Sequence, residues 1–205
     1  MKRELKNQQT KKKIVDSALR IFSAHGYEGG SLNMICQSGA VSKGIIYHYF
    51  EFKDKLYLYC VEECFSRLSA YLRGRLEDQN ETSEKEKLIK YFQARSGFFE
   101  TYPLYARIFA EAIMMPPQSL MEEMNRIRAS FHTFNGKYLT AMLENVPLRK
   151  DLSITEMVST LHFLQDSLNA HFEACERENL DLEKHEKQCQ NVLEIFLYGI
   201  IRRER

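Results

Sequence analysis

Ser42-Lys43-Gly44-Ile45 and the adjoining Tyr47-His48 are the residues whose types and spacing are suited to chemistry, and that chemistry is recognition of an anion. A serine just ahead of an apolar-periodic run caps a helix. The first-turn amides and the positive end of the dipole then face outward, where a phosphate is stabilised. Lys43 adds a mobile cation to that turn, and Gly44, lacking a side chain, lets a partner approach the backbone. If Ile46, Tyr49 and Phe50 point inward, Lys43, Ile45, Tyr47 and His48 must point out. The other reading of Tyr47-His48-Tyr49-Phe50 is a buried aromatic cluster; Tyr47 and His48 fall off the apolar stripe, which argues against it.

A second constellation pairs His171 with Cys175 and His185 with Cys189, each at i, i+4, flanking a turn at 179–181. Antiparallel helices would bring the four together as a Cys2His2 zinc site. The spacing matches no common zinc module, and both cysteines also fall on core stripes, so no metal or other cofactor is expected. No Gly-rich phosphate loop, Gly-x-Ser-x-Gly, His-Glu-x-x-His or dedicated carboxylate pair is present, so no enzyme is expected either.

The elements that hold these residues are all helical by their periodicity. A first helix is predicted from about Asn7 to His25, burying Ile14, Val15, Ala18, Leu19 and Phe22, with Lys13, Asp16, Ser17 and Arg20 toward water and Gly26 as its stop. Ser31 caps a short second helix that buries Leu32, Ile35 and Cys36, and Ser42 caps a third. Two such short helices joined by a few residues form a helix-turn-helix pattern. A long helix then carries Leu56, Cys60, Cys64, Leu68 and Leu72 toward Gln79-Asn80. Capping boxes at Ser83/Glu86 and Ser153/Glu156 open two later helices, while Tyr102-Pro103 and Pro116-Pro117 end two others. About nine helices and no convincing strand make the fold all-α.

The 205 residues are 44% hydrophobic and 28% charged, the composition of a globular protein with a sizeable core. Five cysteines, an odd number, argue against a disulfide framework and for a reducing cytoplasm. No apolar run is long enough to span a membrane, and no signal core follows the basic start. The net charge of +1 taken alone argues against a nucleic-acid partner. It is unevenly spread, however. Residues 1–55 hold 10 basic and 5 acidic residues, a charge of +5, and the other 150 hold 19 and 23, a charge of −4. Two modules follow from this split, 1–52 and 53–205. Lys11, Lys12 and Lys13 are either a phosphate-binding arm or a solvated tail.

Residues 13–56 resemble the DNA-binding domain of the TetR family of transcriptional regulators. The resemblance is carried by Ile14-Val15-Asp16-Ser17-Ala18-Leu19-Arg20-Ile21-Phe22, His25-Gly26-Tyr27, Val41-Ser42-Lys43-Gly44, and above all Tyr47-His48-Tyr49-Phe50 followed by Lys53. It implies that Tyr47, His48 and Lys53 touch phosphates, and that Lys43, Gly44 and Ile45 lie nearest the base edges. It also implies that the remaining helices form a ligand-binding and dimerisation domain. The family's usual turn glycine is Ala40 here, with Gly39 one place earlier, so Gly39 is expected to take the unusual dihedral. Ile45 can pack on a thymine methyl but cannot hydrogen-bond a base edge.

Aromatic and Met side chains concentrate in the middle helices. Phe92, Phe99, Phe109, Met124, Phe131 and Phe134, with Arg95 and Glu111 to orient a polar end, either line a pocket for an apolar or aromatic effector or are ordinary core. The last two helices read as half of a four-helix homodimer interface. The expectation is a DNA-binding regulator, in the first instance a repressor released from a pseudo-palindromic operator by a small effector. The alternative is a DNA-binding regulator controlled by a protein partner.

Overall fold

The computed structural model describes residues 2–76, 83–144, 151–175 and 181–200. Among these, all regular structure is helical: nine α-helices and one 3-10 turn. The helices fall into two compact units, Met1–Ser66 with Tyr102–Ile127, and Arg67–Thr101 with Arg128–Arg205. The unit that holds the helix-turn-helix therefore extends past residue 52 and takes in a second, distant segment.

In the first unit, α1 (Lys2–Gly29) buries Ile14, Val15, Ala18, Leu19 and Phe22. It begins five residues before the expected Asn7, and hydrogen bonding resumes after Gly26, whose φ of 70° and ψ of −177° break the helical path. The backbone of α2 (Leu32–Gly39) starts on the Ser31 cap, whose Oγ accepts from Met34 N–H at 3.3 Å. That of α3 (Lys43–Phe50) starts on Ser42, whose Oγ accepts from Ile45 N–H at 3.4 Å.

The turn between α2 and α3 differs from expectation. Ala40, not Gly39, takes the left-handed conformation (φ 46°, ψ 47°), and its amide closes onto the Cys36 and Gln37 carbonyls. Gly39 is needed for another reason. A Cβ there would lie 2.6 Å from Ser17 Oγ, so α2 can approach α1 only because the side chain is absent. Ser17, expected to face water, is fully buried at that crossing, with its hydroxyl donated to the Lys13 carbonyl at 2.8 Å. The left-handed Ala40 costs about 1 kcal/mol, less than forcing a methyl into that contact.

The long helix α4 (Lys53–Leu76) is divided between the units; its expected end near Gln79-Asn80 lies outside the described residues. In the first unit it buries Leu56, Tyr57, Cys60, Val61, Cys64 and Phe65. Burial pushes the Cys60 and Cys64 thiols well above their ordinary range, so both stay protonated core residues. After Pro103, α6 (Leu104–Met114) packs on α1, burying Tyr105, Ile108, Phe109 and Ile113.

In the second unit, α5 (Glu84–Thr101) opens on the Ser83/Glu86 capping box: Ser83 N–H donates to Glu86 Oε2 at 2.9 Å, and Glu86 N–H donates to Ser83 Oγ at 3.4 Å. The Ser83 backbone bond, then its hydroxyl, lowers the Glu86 carboxyl. Ser153 and Glu156 repeat this at α8 (Ile154–Cys175). Between them, a 3-10 turn (Gln118–Leu120) leads into α7 (Met121–Leu143), which is shared with the first unit. The last helix, α9 (Leu182–Ile200), packs on α5 and α8. Arg95 of α5 and Glu186 of α9 form a buried ion pair at 2.5 Å.

Candidate nucleic-acid interface

The inner face of α3 is anchored by Ile46 and Phe50, which are 0% and 5% exposed. With that face fixed, the 3.6-residue period turns Lys43, Gly44, Ile45, Tyr47 and His48 outward, and all five are exposed, as is the Ser42 cap. Tyr47 and Ile45 are 45% and 40% exposed, so neither is consumed by the core. A Cβ built on Gly44 would meet no described atom within 4 Å, so internal packing does not require glycine there. The first-turn amides, the cation of Lys43 and the bare backbone at Gly44 thus share one exposed helix end.

Tyr49 and Lys11 fix this surface from the side. Tyr49, half-buried, donates its hydroxyl to the side-chain oxygen of Asn7 at 3.3 Å, tying α3 to the early turns of α1. Lys11 Nζ sits 4.2 Å from the centre of the Tyr59 ring and 5.7 Å from that of Phe50. Lys12 pairs with Asp16 at 2.6 Å on the helix surface. The basic stretch 11–13 is therefore the body of α1, with Lys11 docked on aromatic rings; it is not a tail.

Lys53 lies at the start of α4 and is held internally. Its ammonium donates to the carbonyls of Tyr27 at 2.8 Å and Gly30 at 3.2 Å, and it stands over the Tyr27 ring at 4.2 Å. Tyr27 also donates its hydroxyl to Asp54 Oδ1 at 2.7 Å. Burial first, then that bond to a carboxylate, pushes the Tyr27 hydroxyl up to about 12, so it remains a donor. Lys53 and Asp54 together clasp the segment that leads from α1 into the Ser31 cap.

The residues expected to bind an effector are divided by the fold. Phe109, Glu111 and Met124 lie in the first unit; Phe92, Arg95, Phe99, Phe131 and Phe134 lie in the second. All are buried except Phe134, which is half-buried with the Arg73 guanidinium 5.7 Å from its ring. Both polar members are already engaged by the protein. Glu111 Oε2 accepts from Tyr27 N–H at 3.0 Å and from Tyr57 OH at 2.8 Å, and Arg95 holds Glu186. Neither role was legible in the sequence, because the partners lie 84, 54 and 91 residues away.

A cleft of about 490 Å³ opens instead on α7 and α8, lined by His132, Thr133, Gly136, Lys137, Thr140, Ala141, Glu144 and His162. None of the expected effector residues lines it.

Of the His/Cys constellation, His185 Nε2 lies 2.8 Å from Asn169 Oδ1, and Cys189 Sγ lies 3.8 Å from that same nitrogen. His171 is exposed, and the side chain of Cys175 lies outside the described residues. Among the described residues no group of three or more His, Cys, Asp or Glu is placed to hold a metal ion, and no helix is long and apolar enough to cross a membrane.

Residues 14–60 match the family described as bacterial regulatory proteins, tetR family. Over 140 residues the chain is 32% identical to the HTH-type transcriptional repressor AcnR of Corynebacterium efficiens, covering 64% of this chain and 70% of that protein. Over 132 residues it is 25% identical to the negative regulator of the biofilm operon icaADBC, IcaR, of Staphylococcus epidermidis, covering 62% of this chain and 68% of that protein. Among solved structures, the transcriptional regulator FadR of Bacillus subtilis, in complex with stearoyl-CoA, superposes with a TM-score of 0.65 at 16% identity, covering 88% of this chain and 96% of that one.

Proposed function

The chain belongs to the TetR family of DNA-binding transcription regulators, which are not enzymes, and from that premise we propose that it is a repressor released from a pseudo-palindromic operator by a small effector. The observation that carries the reading is the exposed end of α3, where Lys43, Gly44, Ile45, Tyr47 and His48 surround the Ser42 cap while Ile46 and Phe50 hold the helix from behind. A recognition helix reads base edges from its N-terminal half in the major groove, so Lys43, Gly44 and Ile45 are the base-proximal positions. Tyr47 and His48 reach phosphates on either side. Lys53 contributes by holding Tyr27 and Gly30, and thereby the approach to α2.

The test is binding to an operator selected from random duplexes. Lys43→Ala is expected to weaken it and to reduce the slope of log affinity against log salt by about one, because one fewer counterion is released. Tyr47→Phe, which removes only a hydroxyl, should weaken it with the fold intact. Unchanged affinity in both variants overturns the assignment of this face.

A homodimer accounts for two large apolar side chains on adjacent helices, Phe163 of α8 at 69% exposed and Ile195 of α9 at 73%. Phe163→Asp combined with Ile195→Asp is expected to halve the mass seen in gel filtration and to cost most of the operator affinity, since two half-sites are no longer read together. Wild-type protein eluting as a monomer overturns the dimer.

For the effector, the aromatic density around Tyr91, Phe92, Phe98, Phe99 and Phe131 supports an apolar or aromatic compound. The stearoyl-CoA in the Bacillus subtilis regulator brings a long apolar chain, with a charged head, to a protein of this fold. Arg95 would orient a polar end while sharing its guanidinium with Glu186 or by exchanging that bond. Release depends on the effector binding one conformer better than the other.

A further inference from the structure

Where α1 breaks at Gly26, the peptide group of Tyr27 begins a new helical turn, and Gly30 N–H closes it onto the Gly26 carbonyl at 3.0 Å. A helix start leaves amides without intrahelical partners, and a side-chain oxygen ordinarily satisfies one of them from the residue just before. Gly26 has no such side chain. The oxygen comes instead from α6: Glu111, 8% exposed, places Oε2 3.0 Å from Tyr27 N and 2.8 Å from the Tyr57 hydroxyl of α4. Its Oε1 lies 3.5 Å from Arg107 Nε, one turn earlier on α6. The fit is close enough that a Cβ on Gly26 would fall 2.1 Å from Oε1. A negative charge at the start of a helical turn is also favoured by the dipole.

One carboxylate thus joins α1, α4 and α6 at the point from which the helix-turn-helix departs. Four residues later Ser31 caps α2, and between the two Lys53 and Asp54 hold the carbonyl and hydroxyl of the same Tyr27. Phe22 and Tyr27 pack their rings on Tyr57 at 5.0 and 4.9 Å, so the hydroxyl that reaches Glu111 is fixed by its own ring. We propose that Glu111 is a positioning residue for operator recognition: by capping the break in α1 from α6, its carboxylate fixes the direction in which α2 and α3 leave the body of the unit. It lies outside the exposed face of α3 and needs to touch no DNA.

This inference rests on the DNA-binding reading above, and it separates two kinds of affinity. Phosphate contacts are tolerant of orientation and supply non-specific binding, whereas base readout needs the helix in one register. A mispositioned reader loses the second and keeps the first. The experiment compares wild type, Glu111→Gln and Tyr57→Phe on two duplexes of equal length, the operator selected by the wild-type chain and an unrelated sequence. Loss of a charge-assisted cap in Glu111→Gln is expected to lower operator affinity about tenfold or more. Affinity for the unrelated duplex and the salt slope should stay unchanged, with melting confirming that the protein is folded at the assay temperature. Glu111→Asp, which keeps the charge, should recover part of the loss.

If Glu111→Gln does not fold, Tyr57→Phe decides. It removes one donor, leaves the bond to Tyr27, and should give a smaller loss confined to the operator. Equal losses on both duplexes, or no loss in a folded variant, overturn the inference while leaving the interface on α3 standing. A wild-type chain that selects no duplex overturns both.

Discussion

Arg95→Ala is expected to destabilise the protein by about 3–5 kcal/mol, the usual cost of leaving one partner of a buried ion pair alone. Arg95 and Glu186 are 4% and 7% exposed, and removing the guanidinium strands a carboxylate whose Oε2 already has no hydrogen-bond partner among the described residues. The effect has a pH signature. Burial by itself would raise the Glu186 carboxyl, but the charge of Arg95 and hydrogen bonds from His185 and Arg95 outweigh it and hold the group below its ordinary range. A folded-state value below the unfolded one means that the pair's contribution is complete above the ordinary carboxylate range. It drains away as pH falls through the lowered value.

In Arg95→Ala the interaction with His185 remains, but burial, the largest cause, is no longer opposed by the guanidinium. Glu186 therefore takes up a proton more readily on acidification and the variant regains stability. Thermal melts from pH 7 to pH 5 should therefore show the gap between wild type and variant narrowing as pH falls. A gap that stays below about 1 kcal/mol at pH 7 would mean that the pair is screened by water. Replacing both residues together, Arg95→Met with Glu186→Leu, should cost much less than either alone, since no buried charge is left behind.

Gly26→Ala is expected to cost about 3 kcal/mol or more, from two sources that can be separated. With φ at 70° and ψ at −177°, Gly26 occupies a region open essentially only to glycine, which costs a substituted residue about 1–3 kcal/mol. The new Cβ also displaces the Glu111 carboxylate, and with it the bonds from Tyr27 N–H and Tyr57 OH. Leaving buried polar groups unsatisfied costs about 1–3 kcal/mol apiece. Combining Gly26→Ala with Glu111→Ala removes the overlap, so the glycine substitution then adds only its backbone cost to that of the lost carboxylate. The double variant should be less destabilised than the sum of the two singles in urea unfolding. Strict additivity would show that the carboxylate moves aside freely and that Gly26 matters for its dihedral alone.

The parts of this protein that were legible in its sequence share one property: cause and effect lie within a few residues. The Ser31, Ser42, Ser83 and Ser153 caps each form with a residue three positions on, and each was readable as a short pattern. The outward face of α3 followed from helical period once Ile46 and Phe50 were taken as buried. Where a local pattern met a distant neighbour, it misled. Ser17 reads as a water-facing serine but lies under Gly39, and Ala40 takes the left-handed turn because the room Gly39 leaves is used by α1. Lys53, which the family resemblance places at a phosphate, has its ammonium on the carbonyls of Tyr27 and Gly30, contacts that no local pattern announces.

The sequence alone was enough for the all-α class, the helix-turn-helix, the family and the side of α3 that faces out, because periodicity, capping and charge distribution are properties of neighbouring residues. Only the tertiary structure decided what Glu111 and Arg95 do. Each reads as a polar residue on an apolar face, equally suited to a ligand. Which partner a buried charge takes is set by whichever group the fold brings within about 3 Å of it, and for these two that group lies on another helix, 54 to 91 residues away along the chain.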